Sequence, residues 1–206
     1  MDTSTKKELE YFRIEGSYGG NQDWFRDYMM KIGGCAAVTA CDSSIYFDMY
    51  KGTRLYPNDI EHLTRRDYVD FSKIMKPYLR PRWKGINTLE LYMDGFGRYI
   101  SDRANRVGFQ VPVSMSPFRG SEPYAAAESK IIQQIYAGMP VPFLTLHHKD
   151  PALSYYEWHW FLLTGYDRSG GSFAVKAVTY GSPHILDFAQ LWDTGYEEKG
   201  GMIIYE

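Results

Sequence analysis

Two cysteines in 206 residues are too few for a disulfide framework or a tetrahedral zinc site. Cys35 and Cys41 stand six positions apart in one apolar run, roughly 240° from each other if that run is helical, so they do not bridge. What remains is a packing thiol or a reactive one. No stretch approaches the roughly 20 apolar residues of a membrane span. The polar start from Met1 to Glu10 has neither the apolar centre of a signal peptide nor an anchor, and a cytoplasmic protein is expected. An excess of one charge is lacking too. The 23 basic and 25 acidic residues leave a net −2, without the broad positive field that attracts nucleic acid. The short basic stretch Arg80-Pro81-Arg82-Trp83-Lys84 reads as solvated loop before it reads as a binding surface. Repeats, low-complexity tracts and linker-like segments are also missing, which leaves one domain over residues 1–206 as the expectation. His147-His148 and the scattered acids show no ligand spacing, so neither metal nor cofactor is expected.

What the chain does have is apolar and aromatic surface: 44% hydrophobic residues and 17% aromatics, 18 of them Tyr, which suits a thick core or a groove for an extended ligand. Tyr11-Phe12-Arg13-Ile14 predicts a first strand, followed by a glycine-rich loop from Gly16 to Gly20, with Asp23 placed to cap a short helix. Cys35-Ala36-Ala37-Val38-Thr39-Ala40-Cys41 predicts a buried helix entered through a permissive turn at Gly33-Gly34. Helical periodicity recurs around Tyr68, Phe71, Ile74 and Met75, and again around Leu89, Tyr92 and Phe96, with Pro77 and Pro81 between. A further helix is expected from Glu122 to Ala137, with Pro123 in its first turn, an apolar stripe of Ile131, Ile132, Ile135 and Tyr136, and Gly138 as its stop. The pattern then changes. Val141 to Leu146, Trp158 to Thr164 and Phe173 to Thr179 read as strands, followed by a short helix over Asp187 to Trp192 and a closing strand over Met202 to Tyr205. Helices first and strands second predict an α+β domain in two layers with a mixed or antiparallel sheet.

Cys35 stands at the start of its helix, where partial positive charge and unpaired N–H groups favour the thiolate. Cys41, deeper in the run, is expected to be a packing residue. His159 opens an otherwise apolar strand, a position at which packing alone would not select imidazole. His147 and His148 are the rivals, although neighbours on a strand face opposite sides. His62 and His184 read as surface residues.

Gly33-Gly34-Cys35-Ala36-Ala37 at the head of a buried helix resembles the nucleophile segment of papain-like cysteine peptidases. His159 followed by Gly165-Tyr166-Asp167 is similar to their histidine strand. Ala137-Gly138-Met139-Pro140-Val141-Pro142 resembles the lead-in to the preceding strand in the C39-like, bacteriocin-processing branch. The resemblance covers roughly half the chain and implies a papain-like fold, an N-terminal helical part whose cysteine helix packs on a C-terminal, mostly antiparallel sheet. It implies a peptidase or amidase in which Cys35 attacks a carbonyl, His159 moves the proton, and the Cys35 N–H with an upstream side-chain amide holds the oxyanion. Gln22 is the first choice for that amide and Asn21 the alternative. The chain departs from the pattern at the third member: where the family places Asn or Asp, it reads Lys176-Ala177-Val178-Thr179-Tyr180-Gly181. Thr179 is the residue there able to accept a hydrogen bond from the ring. The implied partner is a peptide or small amide. Transfer of the acyl group to an amine is one alternative, and a non-catalytic peptide-binding module with a groove lined by Trp158, Trp160 and Tyr180 is another.

Overall fold

The computed structural model describes residues 5–82 and 85–206. Trp83 and Lys84 of the basic stretch lie outside the described residues. The chain opens with β1 (Lys6–Glu8), β2 (Arg13–Ile14), β3 (Ser17–Tyr18) and a 3₁₀ turn (Gln22–Trp24). Four helices follow: α1 (Tyr28–Gly33), α2 (Cys35–Lys51), α3 (Arg65–Met75) and α4 (Leu89–Val107). Then come β4 (Met115–Arg119), α5 (Tyr124–Tyr136), β5 (Val141–Thr145) and a second 3₁₀ turn (Pro151–Tyr156). The chain closes with β6 (His159–Asp167), β7 (Ala174–Thr179), β8 (Ser182–Asp187), α6 (Phe188–Trp192) and β9 (Gly200–Tyr205).

Small residues make α2 possible as a buried helix. Ala36, Ala37, Ala40, Cys41 and Ile45 are all 1% exposed or less, and the good helix former Ala lets the backbone come close to its neighbours. Its start is dictated by Gly34, where a Cβ would lie 2.2 Å from the Met30 carbonyl oxygen of α1. Gly34 has φ −89°, so the glycine is needed for space and not, as the sequence predicts, for a permissive turn. At the other end Gly52 adopts φ +68° and its N–H caps the Phe47 carbonyl, an ordinary left-handed stop.

The helix packs on β6, the centre of a seven-stranded sheet in which six strands run in the order β4-β9-β5-β6-β7-β8 and β1 joins as the seventh on β6. Every pairing among the described residues is antiparallel, giving a mixed fold of several helices and an antiparallel sheet. Along one side, β6 pairs first with β5, from Thr145 opposite His159 to Val141 opposite Leu163, and then with β1, from Glu8 opposite Gly165 to Lys6 opposite Asp167. Gly165 admits that second partner, because a Cβ there would meet the Lys7 carbonyl oxygen at 3.0 Å. Covered on both faces, β6 is buried from His159 to Tyr166 and shares one apolar core with α2, α3, α4 and α5. No helix among the described residues is long and apolar enough to cross a membrane.

Several local expectations change. The first strand of the main sheet is β1, while Tyr11 and Phe12 are stacked core rings and only Arg13–Ile14 is extended, as half of the small β2–β3 pair. Asp23 caps nothing; Asn21 caps the 3₁₀ turn and Asp27 caps α1 by accepting from the Met30 N–H. Pro123 sits at the N-cap of α5, and Tyr136 and Ile74 face solvent rather than the core. β4 and β8 are two strands absent from the sequence reading. Trp160 lines a small cavity beside Cys35 rather than an open groove. It is buried, stacks on Tyr92 at 4.5 Å and donates its indole N–H to the Ile86 carbonyl at 2.5 Å.

Candidate active site

Four separated segments converge where the start of α2 meets the start of β6. Gln22, Cys35, His159 and Thr179 line one small cavity with Gly20, Asp42 and Tyr180. Its free space is only about 10 Å³, close to what a single water-sized oxygen needs.

Cys35, the first residue of α2, is 5% exposed. Burial pushes its thiol pKa up, against the pull of the backbone N–H groups of Trp160, Ala36 and Cys35 itself. This corrects the expectation of a thiol activated by its helix start: the N–H groups are in place, but desolvation outweighs them. The Trp160 N–H at the sulfur also brings the thiol beside the residue that follows His159. On its outer side Cys35 borders an open cleft of about 510 Å³, lined also by Ile32, Gly33, Arg82, Gly85, His147 and Trp158.

His159 is 5% exposed, and burial alone lowers its imidazole to about 4. Its Nε2 lies 2.6 Å from Thr179 Oγ1. The ring stacks face to face on Tyr180, centroids 5.0 Å apart and planes 6° apart. With Nε2 engaged by Thr179, Nδ1 is the nitrogen left for other chemistry. Both members of the pair are therefore neutral at pH 7.

Gln22 is buried and its amide nitrogen donates to the Lys31 carbonyl at 3.0 Å and to Tyr180 Oη at 3.2 Å. Asn21 is used otherwise: Nδ2 donates to the Tyr180 carbonyl at 3.0 Å and Oδ1 accepts from the Asp23 N–H. Between the two amides left open by the sequence, Gln22 is the one that lines the cavity.

The rival histidines do not line the small cavity, although His147 shares the open cleft with Cys35. His148 is buried between the Asp150 N–H and the Gln190 carbonyl, and His147 packs edge-on against Trp158 at the cleft. His62 is exposed and paired with Asp59. His184 is not a surface residue as expected: it is half-buried, with Nδ1 3.0 Å from Tyr156 Oη and Nε2 shut off from solvent without a partner among the described residues. No group of three His, Cys, Asp or Glu side chains among the described residues is placed to hold a metal ion.

Asp42 was missed by sequence reasoning. Seven residues after Cys35, it falls on the same face of α2 and accepts from Tyr11 Oη at 2.9 Å, Tyr68 Oη at 2.7 Å and the Gly20 N–H at 3.1 Å. Burial raises its carboxyl to about 6 despite these donors. A lone acid inside a run of small apolar residues was the available signal. Its effect is to tie the Gly19-Gly20 loop, and so Gln22, to α2. Tyr180 was read only as a groove aromatic, whereas it covers His159 directly. The arrangement brings a thiol and a neutral imidazole to one cavity, with N–H and O–H donors around a space for one oxygen atom. Set against known proteins, the chain matches no family model and no curated protein.

Proposed function

We propose that the chain is a cysteine hydrolase of the papain-like, C39-like kind that cleaves a peptide or related amide through an acyl-enzyme on Cys35. The observation that carries this reading is the convergence of Cys35, His159, Thr179 and Gln22 on one cavity, with His159 Nε2 held 2.6 Å from Thr179 Oγ1. A buried helix that starts at the thiol and packs on a strand that starts at the imidazole supports the papain-like arrangement as well.

In this reading Thr179 fixes the ring by accepting from Nε2–H, which leaves the Nδ1 lone pair as the base. A substrate reaches the sulfur from the open cleft. As sulfur attacks the carbonyl carbon, the thiol proton moves to His159 and the carbonyl π pair moves to oxygen, where the Cys35 N–H and the neighbouring Gln22–Tyr180 pair meet it. Collapse re-forms the carbonyl and breaks the C–N bond, and the departing nitrogen takes the proton from His159. Water, deprotonated by His159, then cleaves the thioester and restores the thiol. Burial keeps the imidazole unprotonated at pH 7, and because a pKa of about 4 makes it a weak base, the transfer relies on the negative charge developing on the carbonyl oxygen to favour the imidazolium.

The test uses p-nitrophenyl acetate. One equivalent of nitrophenolate per chain should appear in a burst, with an acetyl group on Cys35 by mass spectrometry and no burst from Cys35→Ala. Acetylation no faster than that of free cysteine refutes the reading.

A further inference from the structure

The β7–β8 hairpin turns on two residues, Tyr180 and Gly181, between the paired Thr179 and Ser182. Both central residues have positive φ, +48° and +73°, as a type I′ turn requires. Gly fits its place, but the first position favours Asn, Asp or Gly, and a bulky aromatic held in the left-handed region is a strained choice. The turn is held from outside. The Tyr18 N–H donates to the Gly181 carbonyl at 2.9 Å and Asn21 Nδ2 to the Tyr180 carbonyl at 3.0 Å, so the loop that carries Gln22 also clasps the hairpin that carries Tyr180.

What that clasp presents is a phenol. Gln22 has two amide protons, and its two contacts, the Lys31 carbonyl and Tyr180 Oη, use both. Gln22 therefore has no N–H free for a substrate oxygen. Tyr180 Oη accepts from Gln22, while its own O–H donates to no group among the described residues, and the residue lines the cavity that holds Cys35 and His159. Resting on the proposed cysteine-hydrolase reading, we infer that Tyr180 is a catalytic residue whose O–H donates to the oxyanion beside the Cys35 N–H, and that Gln22 is the positioning residue that aims it.

The hydrogen bond forms as the carbonyl π pair moves to oxygen and is released when the carbonyl re-forms; the phenolic proton is not transferred. Burial, with the nearby Cys35 adding to it, pushes the Tyr180 phenol up to about 12, so the donor stays protonated across the working range. The strained turn then has a use: it places a donor where the Gln22 amide alone would be satisfied by its own neighbours.

Four proteins test this: wild type, Tyr180→Phe, Gln22→Ala and the double variant. Each is assayed for its p-nitrophenyl acetate burst and for alkylation of Cys35 by iodoacetamide, which forms no oxyanion. Tyr180→Phe keeps the ring on His159, so the burst should slow about 100-fold while alkylation stays within about twofold of wild type. Gln22→Ala should slow the burst in the wild-type background and add nothing to Tyr180→Phe. A wild-type burst from Tyr180→Phe together with a slow one from Gln22→Ala overturns the inference and makes Gln22 the direct donor. Equal losses of burst and alkylation in Tyr180→Phe also overturn it, because the phenol would then act on the thiol and imidazole. A wild-type protein that shows no burst removes the hydrolase reading itself, an outcome distinct from either of these.

Discussion

Two buried groups of the site should tilt stability against pH in opposite directions. Asp42 has its carboxyl pushed from the usual 3.8 to about 6, chiefly by burial. Between those values the unfolded chain is ionised there and the folded one is not, so this group makes stability fall as pH rises from about 4 to about 6. At about 1.4 kcal/mol per pH unit, the loss comes to about 3 kcal/mol. His159 works the other way. Its imidazole is lowered from 6.5 to about 4, so between those values the unfolded chain holds the proton and the folded one does not. Stability from this group rises with pH over that window, again by about 3 kcal/mol. In the wild type the two slopes nearly cancel. Urea unfolding at half-unit steps from pH 4 to 7 separates them, using Asp42→Asn and His159→Gln. Relative to wild type, Asp42→Asn should gain about 3 kcal/mol between pH 4 and 6.5, and His159→Gln should lose about as much. Other titrating groups, such as the partly buried Asp48 whose carboxyl is also raised, are common to all three proteins and drop out of the differences. Curves that run parallel to wild type would mean that neither group is buried as described, and the neutral thiol and imidazole pair would go with them.

Thr179→Val keeps the β-branched shape that the strand wants but removes the oxygen 2.6 Å from His159 Nε2. The p-nitrophenyl acetate burst should slow about 10-fold, the worth of one hydrogen bond, and Thr179→Ser should restore it; a Val variant at wild-type speed would remove Thr179 from the site. Gly34→Ala puts a Cβ 2.2 Å from a backbone oxygen of α1, so the junction in front of Cys35 must shift. That should cost about 2–3 kcal/mol, seen as a lower urea midpoint at unchanged slope, and an unchanged midpoint would contradict the tight packing of α1 on α2.

The elements legible in the sequence are those whose burial leaves a periodic trace. α3 and α4 place Tyr68, Phe71, Met75, Tyr92 and Phe96 inward at helical spacing, and β5, β6 and β7 are apolar runs between turn residues. The elements that escaped have no such trace. β1 is Lys6-Lys7-Glu8, joined to β6 through its backbone while its side chains stay largely in solvent, so its composition reads as a polar arm. β4 and β8 are the two edges of the sheet, where exposed side chains and one proline each, Pro117 and Pro183, interrupt the apolar pattern; β5 carries Pro142 as well, but all of its residues are buried.

The site divides along a similar line. Cys35 and His159 could be chosen because each is out of character with its surroundings, a thiol before a run of alanines and an imidazole at the head of an apolar strand. Thr179 was reachable only as the best remaining acceptor at a position where an amide or carboxylate was expected. Tyr180-Gly181 carried a signal of another kind: a glycine after an aromatic, at the end of one extended run and before a second that its proline hides. Once β8 is known to pair with β7, those two residues must turn the chain, and one of them must then be an aromatic in a left-handed conformation. The strain is the consequence of a hairpin tight enough to bring Thr179 to His159 Nε2 and Tyr180 onto the ring of the same histidine. An Asn in place of Tyr180 would relax the turn but would leave Gln22 without its phenol and His159 without its cover. Local preference and site geometry thus disagree at this residue, and the tyrosine found there follows the site geometry.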